Sequence, residues 1–210
     1  MLRTLIIFTL LWSVVCVTTK VEYEPTPIAE WRVKTVDSLP LGEAKSIGKF
    51  KVTYYWIVPE TEYSGRREVP LYLDNGGLLG YFPRHFVQDF KKEGVARLKD
   101  GRLISYLKRK DAVRIVLEPL GFGGHSLTTL KSVAVDTNFI PLGSRVYIPQ
   151  YERLYLGDFG VHNGIFYAQD IGSDVKGKHI DIFIGEKANL KYIMSKSGRG
   201  SGLVDVYLLK

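Results

Sequence analysis

The sequence predicts a mainly β protein, built as a small closed barrel or a sandwich. In the last third of the chain, short apolar runs such as "SVAVD", "GIFYAQD", "HIDIFIG" and "LVDVYLLK" alternate with glycine-bearing loops, a density typical of such folds. Long amphipathic stretches are few, and 13 Tyr and 10 Phe favour strands. With 210 residues there is room for one good-sized domain or a small domain carrying a large insertion. The 45% apolar fraction is ordinary for a globular chain and argues against global disorder.

Taken in order, the chain opens on "MLRTLIIFTLLWSVVCVTTK", with one Arg, an apolar run from Leu5 to Val17, and then polar residues. That run is short for a transmembrane helix and fits a secretory signal over residues 1–20. The single cysteine, Cys16, closes the run behind Val14 and Val15, a poor match to a lipidation site, so the mature chain is expected to carry no disulfide and no cysteine-ligated metal. Residues 21–45 read as an extended linker punctuated by Pro25, Pro27 and Pro40. "KFKVTYYWIV" is a strand from Lys49 to Val58, stopped by Pro59.

Residues 61–124 are less regular: "PRHFVQDFKKEG" predicts a short helix ended by Gly94, "KDGRLISYLK" a turn and a strand, and "AVRIVLEP" another strand before the glycine-rich "LGFGGHS". "SVAVD" is then a strand closing at Asp136, and "FIPLGSRVYIPQ" a turn feeding a strand that ends at Pro149. "EKANLKYIMSK" predicts a brief helix before the last strand. No internal repeat of solenoid period is present.

Three aspartates stand out. In "HIDIFIG", Ile180, Ile182 and Ile184 share one strand face, and His179, Asp181 and Phe183 share the other. Asp181 is mid-strand, so no turn accounts for it, and its face is either solvated or lines a cleft. Asp136 shares a face with Ala134, and Asp170 with Ala168. Small neighbours leave the space a ligand groove needs, although strand-end aspartates also simply start turns.

Other chemistries find little support. Ser126, Ser132 and Ser144 lack a nucleophile-elbow context, and His85, His125, His162 and His179 lack metal-ligand spacing. "GFGGH" is not followed by the Lys-Ser/Thr of a phosphate loop. Neither a metal nor a cofactor is expected. A net charge of +7 and a pI near 9.3 favour an anionic partner, whether nucleic acid, membrane surface or acidic polymer. Export argues against nucleic acid.

"SVAVDTNFIPLGSRVYIP", "HNGIFYAQDIGSDVKGKHIDIFIG" and "VDVYLLK" together resemble the three-aspartate domain of bacterial cell-wall enzymes, with its AVD, IPLG, D-x-G-G-x-I-K-G and H/K-I-D motifs in order. That domain occurs in the single-aspartate membrane-bound lytic transglycosylase and in stationary-phase muralytic enzymes. The resemblance covers roughly residues 131–210, with "KVTYYW" supplying a first strand. It implies a double-psi β-barrel over residues 46–210, interrupted by a mixed insertion at 61–124 between the first and second barrel strands. It implies Asp181 as catalytic acid/base, Asp170 and Asp136 as its supporting pair, and substrate contacts from Thr53, Tyr55, Gly172, Lys176 and Gly177. Where the family has Gly-Gly-Ala, this chain has Gly172-Ser173-Asp174, which adds charge near the cleft.

The activity so implied is peptidoglycan lytic transglycosylation, cleaving the MurNAc–GlcNAc bond to leave a 1,6-anhydro ring without metal or cofactor. One carboxylate suffices there, whereas a hydrolase needs two. A non-catalytic glycan-binding module, and a two-carboxylate hydrolase using Asp136 or Asp170 as base, are the alternatives. The partner would be peptidoglycan glycan strands met by a monomer, secreted, periplasmic or in the cell envelope. An uncleaved or lipidated N-terminus would add membrane association. The mature chain is expected to begin near Val17 to Glu22, which N-terminal sequencing of protein recovered from the envelope checks; an intact Met1 would refute cleavage.

Overall fold

A computed structural model describes residues 44–191, 193 and 202–210, all within the unit spanning Ser38–Lys210. The expected export segment, Cys16 and the linker up to residue 43 lie outside the described residues. The linker's last two expected residues, Ala44 and Lys45, already belong to the first strand.

The strands are β1 (Ala44–Pro59), β2 (Arg67–Tyr72), β3 (Leu78–Pro83), β4 (Val95–Arg97), β5 (Leu103–Leu107), β6 (Ala112–Val116), β7 (Ser132–Val135), β8 (Arg145–Tyr155), β9 (Val161–Asp170), β10 (His179–Glu186) and β11 (Leu203–Leu209). One helix, α1 (Arg84–Glu93), separates β3 from β4. Six strands close into a mixed barrel, in the order β10-β7-β9-β8-β11-β1 with β1 pairing back onto β10. A closed barrel rather than a sandwich follows, because closure leaves the ring without an edge. Two neighbouring pairs are parallel, β1–β10 and β7–β9, and the other pairs are antiparallel.

The alternation around Asp181 decides what fills the barrel. Ile180, Ile182 and Ile184 are fully buried, packed with Phe50, Val52 and Phe166. Phe183, on the other face, joins Tyr55, Ile57, Val95, Ala134 and Val175 in a second apolar cluster outside the barrel.

Between β1 and β7 the chain builds a satellite. The end of β1 pairs in parallel with β4, Val58 opposite Ala96, so one strand serves both the barrel and the sheet β4-β5-β6. Helix α1 buries Phe86, Val87 and Phe90 against that sheet and ends where Gly94 takes a left-handed conformation (φ 83°), its N–H donating to the carbonyl of Phe90. Glycine fits there without the steric penalty of a Cβ. The short β2, β3 and β4 were not predicted from sequence. β8 continues past Pro149, where the strand was expected to stop, and reaches Tyr155. Its pairing with β9 is regular through Tyr147 and resumes at Glu152 after a register shift, so the proline, lacking an N–H, falls in the irregular part of the ladder. The brief helix after β10 begins as a 3-10 turn at Lys187–Asn189 and continues as α-helix at Leu190 and Lys191.

Because Ile182 is fully buried in the barrel, Ile182→Ala is expected to lower unfolding free energy by about 2–5 kcal/mol, measured by urea denaturation. A loss below about 1 kcal/mol would contradict that packing.

Candidate functional site

The site is built where β1 and β10 run side by side. Their parallel register sets Thr53 opposite Asp181 and Lys51 opposite His179. Thr53 Oγ1 donates to Asp181 Oδ1 at 2.6 Å and lies 2.7 Å from His179 Nε2. A hydroxyl has one proton, so with Thr53 donating to Asp181, His179 Nε2 is the donor to Thr53. Two flanking residues thereby fix the direction of the Asp181 carboxylate.

Asp170 enters from the end of β9 by a different route from the one its sequence suggests. Ala168, expected beside it on a spacious face, is instead fully buried in the barrel core. The β7–β9 register explains this: Val133 faces Ala168 but Ala134 faces Asp170, so Gln169 is an extra residue in the ladder. A bulge of that kind resets the alternation, leaving Asp170 with Ala134 on the cleft side. Gln169 is held by Ser132, whose hydroxyl donates to its side chain at 2.5 Å. Asp170 then accepts from the Tyr55 hydroxyl at 3.0 Å and from the backbone N–H groups of Phe122 and Ile171 at 2.8 Å each.

The Phe122 contact gives the glycine-rich segment a use. A Cβ on Gly121 would come within 2.6 Å of the Gln169 carbonyl and 2.7 Å of Leu127, so glycine lets this loop lie against the end of β9. Asp136 stands apart from the other two. It accepts from the N–H of Gly177 at 2.8 Å and from the Asn138 backbone at 3.0 Å, holding the loop after Asp170 and starting its own turn. In that loop Gly172 has room only for hydrogen, since a Cβ would meet Val175 at 2.3 Å, while Val175 is buried and Lys176 and Asp174 are exposed.

Tyr55, Asp170 and Asp181 open into a cleft of about 760 Å³. One wall comes from the barrel and the loop after β9, the other from the α1 end and the β5–β6 hairpin. Gly172 and Lys176 also line it. Asp136, Gly177 and Thr53 support the site from behind or beside the groups that line it. Sequence reasoning did not single out Glu93, the last residue of α1, which also lines the cleft. Nothing in "KKEG" marks it, because its neighbour Asp181 is 88 positions away.

Burial decides the electrostatics. It pushes the Asp181 carboxyl above the usual range against the Thr53 hydrogen bond and the His179 charge, with Asp170 a smaller upward push. Burial raises Asp170 as well, against its three donors. Glu93 is pushed up to about 7, first by burial and then by the charge of Asp181. Asp136 is instead lowered, by the N–H groups of Gly177 and Asn138. Among the described residues, no three His, Cys, Asp or Glu side chains are grouped to hold a metal ion.

Residues 131–210 match the 3D domain family, the stretch on which the three-aspartate resemblance rests. A 77-residue segment is 36% identical to the putative cell wall shaping protein YabE of Bacillus subtilis (strain 168), covering 33% of this chain and 16% of that protein. The chain therefore spans a small part of its curated relative. Among solved structures, E. coli MltA with bound chitohexaose superposes with a TM-score of 0.54 at 16% identity, covering 78% of this chain and 72% of that one. A membrane-bound lytic murein transglycosylase from Agrobacterium tumefaciens gives 0.54 at 14% identity, covering 78% and 74%. The six-stranded mixed barrel is thus an MltA-like fold.

The raised carboxyls set a pH dependence of stability. Asp170, Asp181 and Glu93 bind protons more tightly when folded than when unfolded. Their contribution is complete below the ordinary carboxylate range and is lost as pH rises through their folded values. Buried His162, lowered to about 4, acts in the opposite sense over part of the same window, so the difference between two proteins isolates Glu93. The melting temperature of Glu93→Gln relative to wild type is expected to rise from about pH 4.5 to the value near 7 of Glu93, read by calorimetry across the range; a difference that stays constant or falls over this window would contradict the assignment.

Proposed function

We propose that this protein is a peptidoglycan lytic transglycosylase acting at the cell envelope, with Asp181 as its general acid and base. The observation that carries the reading is the Thr53–Asp181 hydrogen bond in a cleft whose burial favours the protonated carboxyl. Support also comes from the 3D domain match and from the MltA-like fold. The two parallel pairs within the ring suit a double-psi β-barrel over residues 46–210, carrying 61–124 as an insertion.

Protonated Asp181 donates to the glycosidic oxygen as the MurNAc C1–O bond breaks. The resulting carboxylate takes the proton of the MurNAc 6-hydroxyl, whose oxygen bonds to C1 and closes the 1,6-anhydro ring. Atoms balance without water, metal or cofactor, and Asp181 regains its proton. Asp170 acts as a positioning residue, joining Tyr55 on β1 to the loop at Phe122. Half-exposed Phe122 offers a ring face to a sugar at the cleft. Asp136 shapes the loop that carries Lys176 and Gly177.

Asp181→Asn keeps the Thr53 partner but cannot shuttle a proton, and activity is expected to fall by about 10²–10⁴-fold with the melting curve retained. Asp170→Asn, by removing one upward push on Asp181, moves the pH optimum down. Mass spectrometry of muropeptides released from purified wall reads both. Products one water heavier than the anhydro form would point to hydrolysis instead. Glycan binding without turnover by the wild type would leave a binding module.

A further inference from the structure

We infer that the inserted hairpin face of the cleft is a subsite for carboxylates of the peptide substituents carried by the glycan, a reading that rests on the proposed peptidoglycan substrate. The two walls of the cleft differ in charge. The barrel side carries Asp170 and Asp181, with Lys176 in the loop after β9; the facing wall carries Glu93 at the end of α1, and beyond it the β5–β6 hairpin presents Lys108, Arg109 and Lys110 in one 3-10 turn. All three are exposed, and no ion pair engages any of them among the described residues.

The turn is fixed rather than loose. Asp111, which follows it, is left-handed (φ 47°) and is held by Lys91 at 2.5 Å and by the Tyr106 hydroxyl at 2.8 Å. The nearby Lys91 and Arg114 are thus neutralised, by Asp111 and Asp74, while the tip cations are left available. A second observation comes from Ser105 on β5. Its neighbour Ile104 faces the satellite core, so Ser105 faces the cleft, where its hydroxyl oxygen is buried without a hydrogen-bond partner. Leaving a buried hydroxyl unpaired is unfavourable, and a ligand oxygen reaching the cleft wall would satisfy it.

The ligand class follows from the chemistry of the proposed substrate. Where a peptide is attached, the lactyl carboxyl of MurNAc is an uncharged amide, and the anionic groups of the strand are the carboxylates of the peptides. Cations opposite the acidic wall would hold those peptides away from Asp181 and align the strand by charge.

The experiment compares uncross-linked glycan strands carrying their peptides with the same strands after chemical amidation of the peptide carboxylates with excess ammonia, both freed of phosphate polymers. Wild-type enzyme is expected to show a KM about tenfold lower on the strands whose peptide carboxylates are free, from three exposed ion pairs, with kcat little changed. The preference should shrink as salt rises from about 0.01 to 0.1 M, where the screening length drops from about 30 to 10 Å. K108Q/R109Q/K110Q should bring the ratio of the two KM values close to one. Ser105→Ala should reduce that ratio without lowering the melting temperature, since it removes a hydroxyl the fold does not use. Equal KM values for the wild type, or a triple variant weakened equally on both strands, would overturn the inference. A preference seen only when phosphate polymer is left attached would also overturn it, assigning the face to phosphate. If the wild type turns over neither strand, the proposed activity fails, and equilibrium binding of the two strands decides the subsite independently, equal binding overturning it.

Discussion

The parallel pairing of β1 with β10 is the constraint on which the rest of the structure depends. It closes the six-stranded ring, and because strand side chains alternate, one register performs two tasks. It turns Val52, Ile180 and Ile182 into the barrel and leaves Thr53 and Asp181 together on the outer face. A slip of one residue would exchange the two sets, exposing isoleucines and burying a carboxylate in hydrocarbon. The core that resists this slip therefore also holds the 2.6 Å contact at Asp181. The far end of β1 extends the constraint: Tyr55 reaches Asp170, and Val58 anchors the satellite sheet that forms the opposite wall of the cleft.

What the sequence discloses about this arrangement follows the range of the interaction. The setting of Asp181 is legible because its period-two pattern is local and uninterrupted, and the same regularity marks β7, β9, β10 and β11. Asp170 was found for an incomplete reason. Its strand obeys the alternation only up to Ala168, and the extra residue Gln169, visible only in the pairing with β7, reverses it. Pro149 looked like a strand end because a proline cannot serve a regular ladder, but the ladder is irregular there. β2, β3 and β4 are short and depend on partners for their stability, and β4 is three residues long. Glu93 and Gly121 acquire their surroundings through contacts distant in sequence, to Asp181 and to the end of β9.

Three carboxylates in the cleft and a fourth, Asp136, beside it divide according to solvation. Asp136 sits at the rim, where N–H donors lower it and burial does little. Asp170 has comparable donors, namely two N–H groups and a phenol, yet its burial outweighs them and it is raised. Hydrogen bonds can depress a carboxyl only while the charged form keeps enough solvation in sum. Asp181 has one strong donor and Glu93 little compensation, so both are raised as well. This is an environment that favours the protonated carboxyl over its charged form.

The same accounting separates holding from reacting. The carboxylate oxygens of Asp170 are engaged by Tyr55, Phe122 and Ile171, which come from β1, the glycine-rich loop and the end of its own strand. A group so engaged has little capacity left for a substrate proton, and moving it would disturb three segments at once. Among the described residues Asp181 has a hydrogen-bond partner on one oxygen only, and the isoleucines of its strand are packed in the barrel beneath it. The more heavily bonded aspartate is therefore suited to join the cleft walls, and the less heavily bonded one to exchange a proton. Glycine at 121 belongs to the first of these roles, since without the close approach it permits, the Phe122 N–H could not reach Asp170.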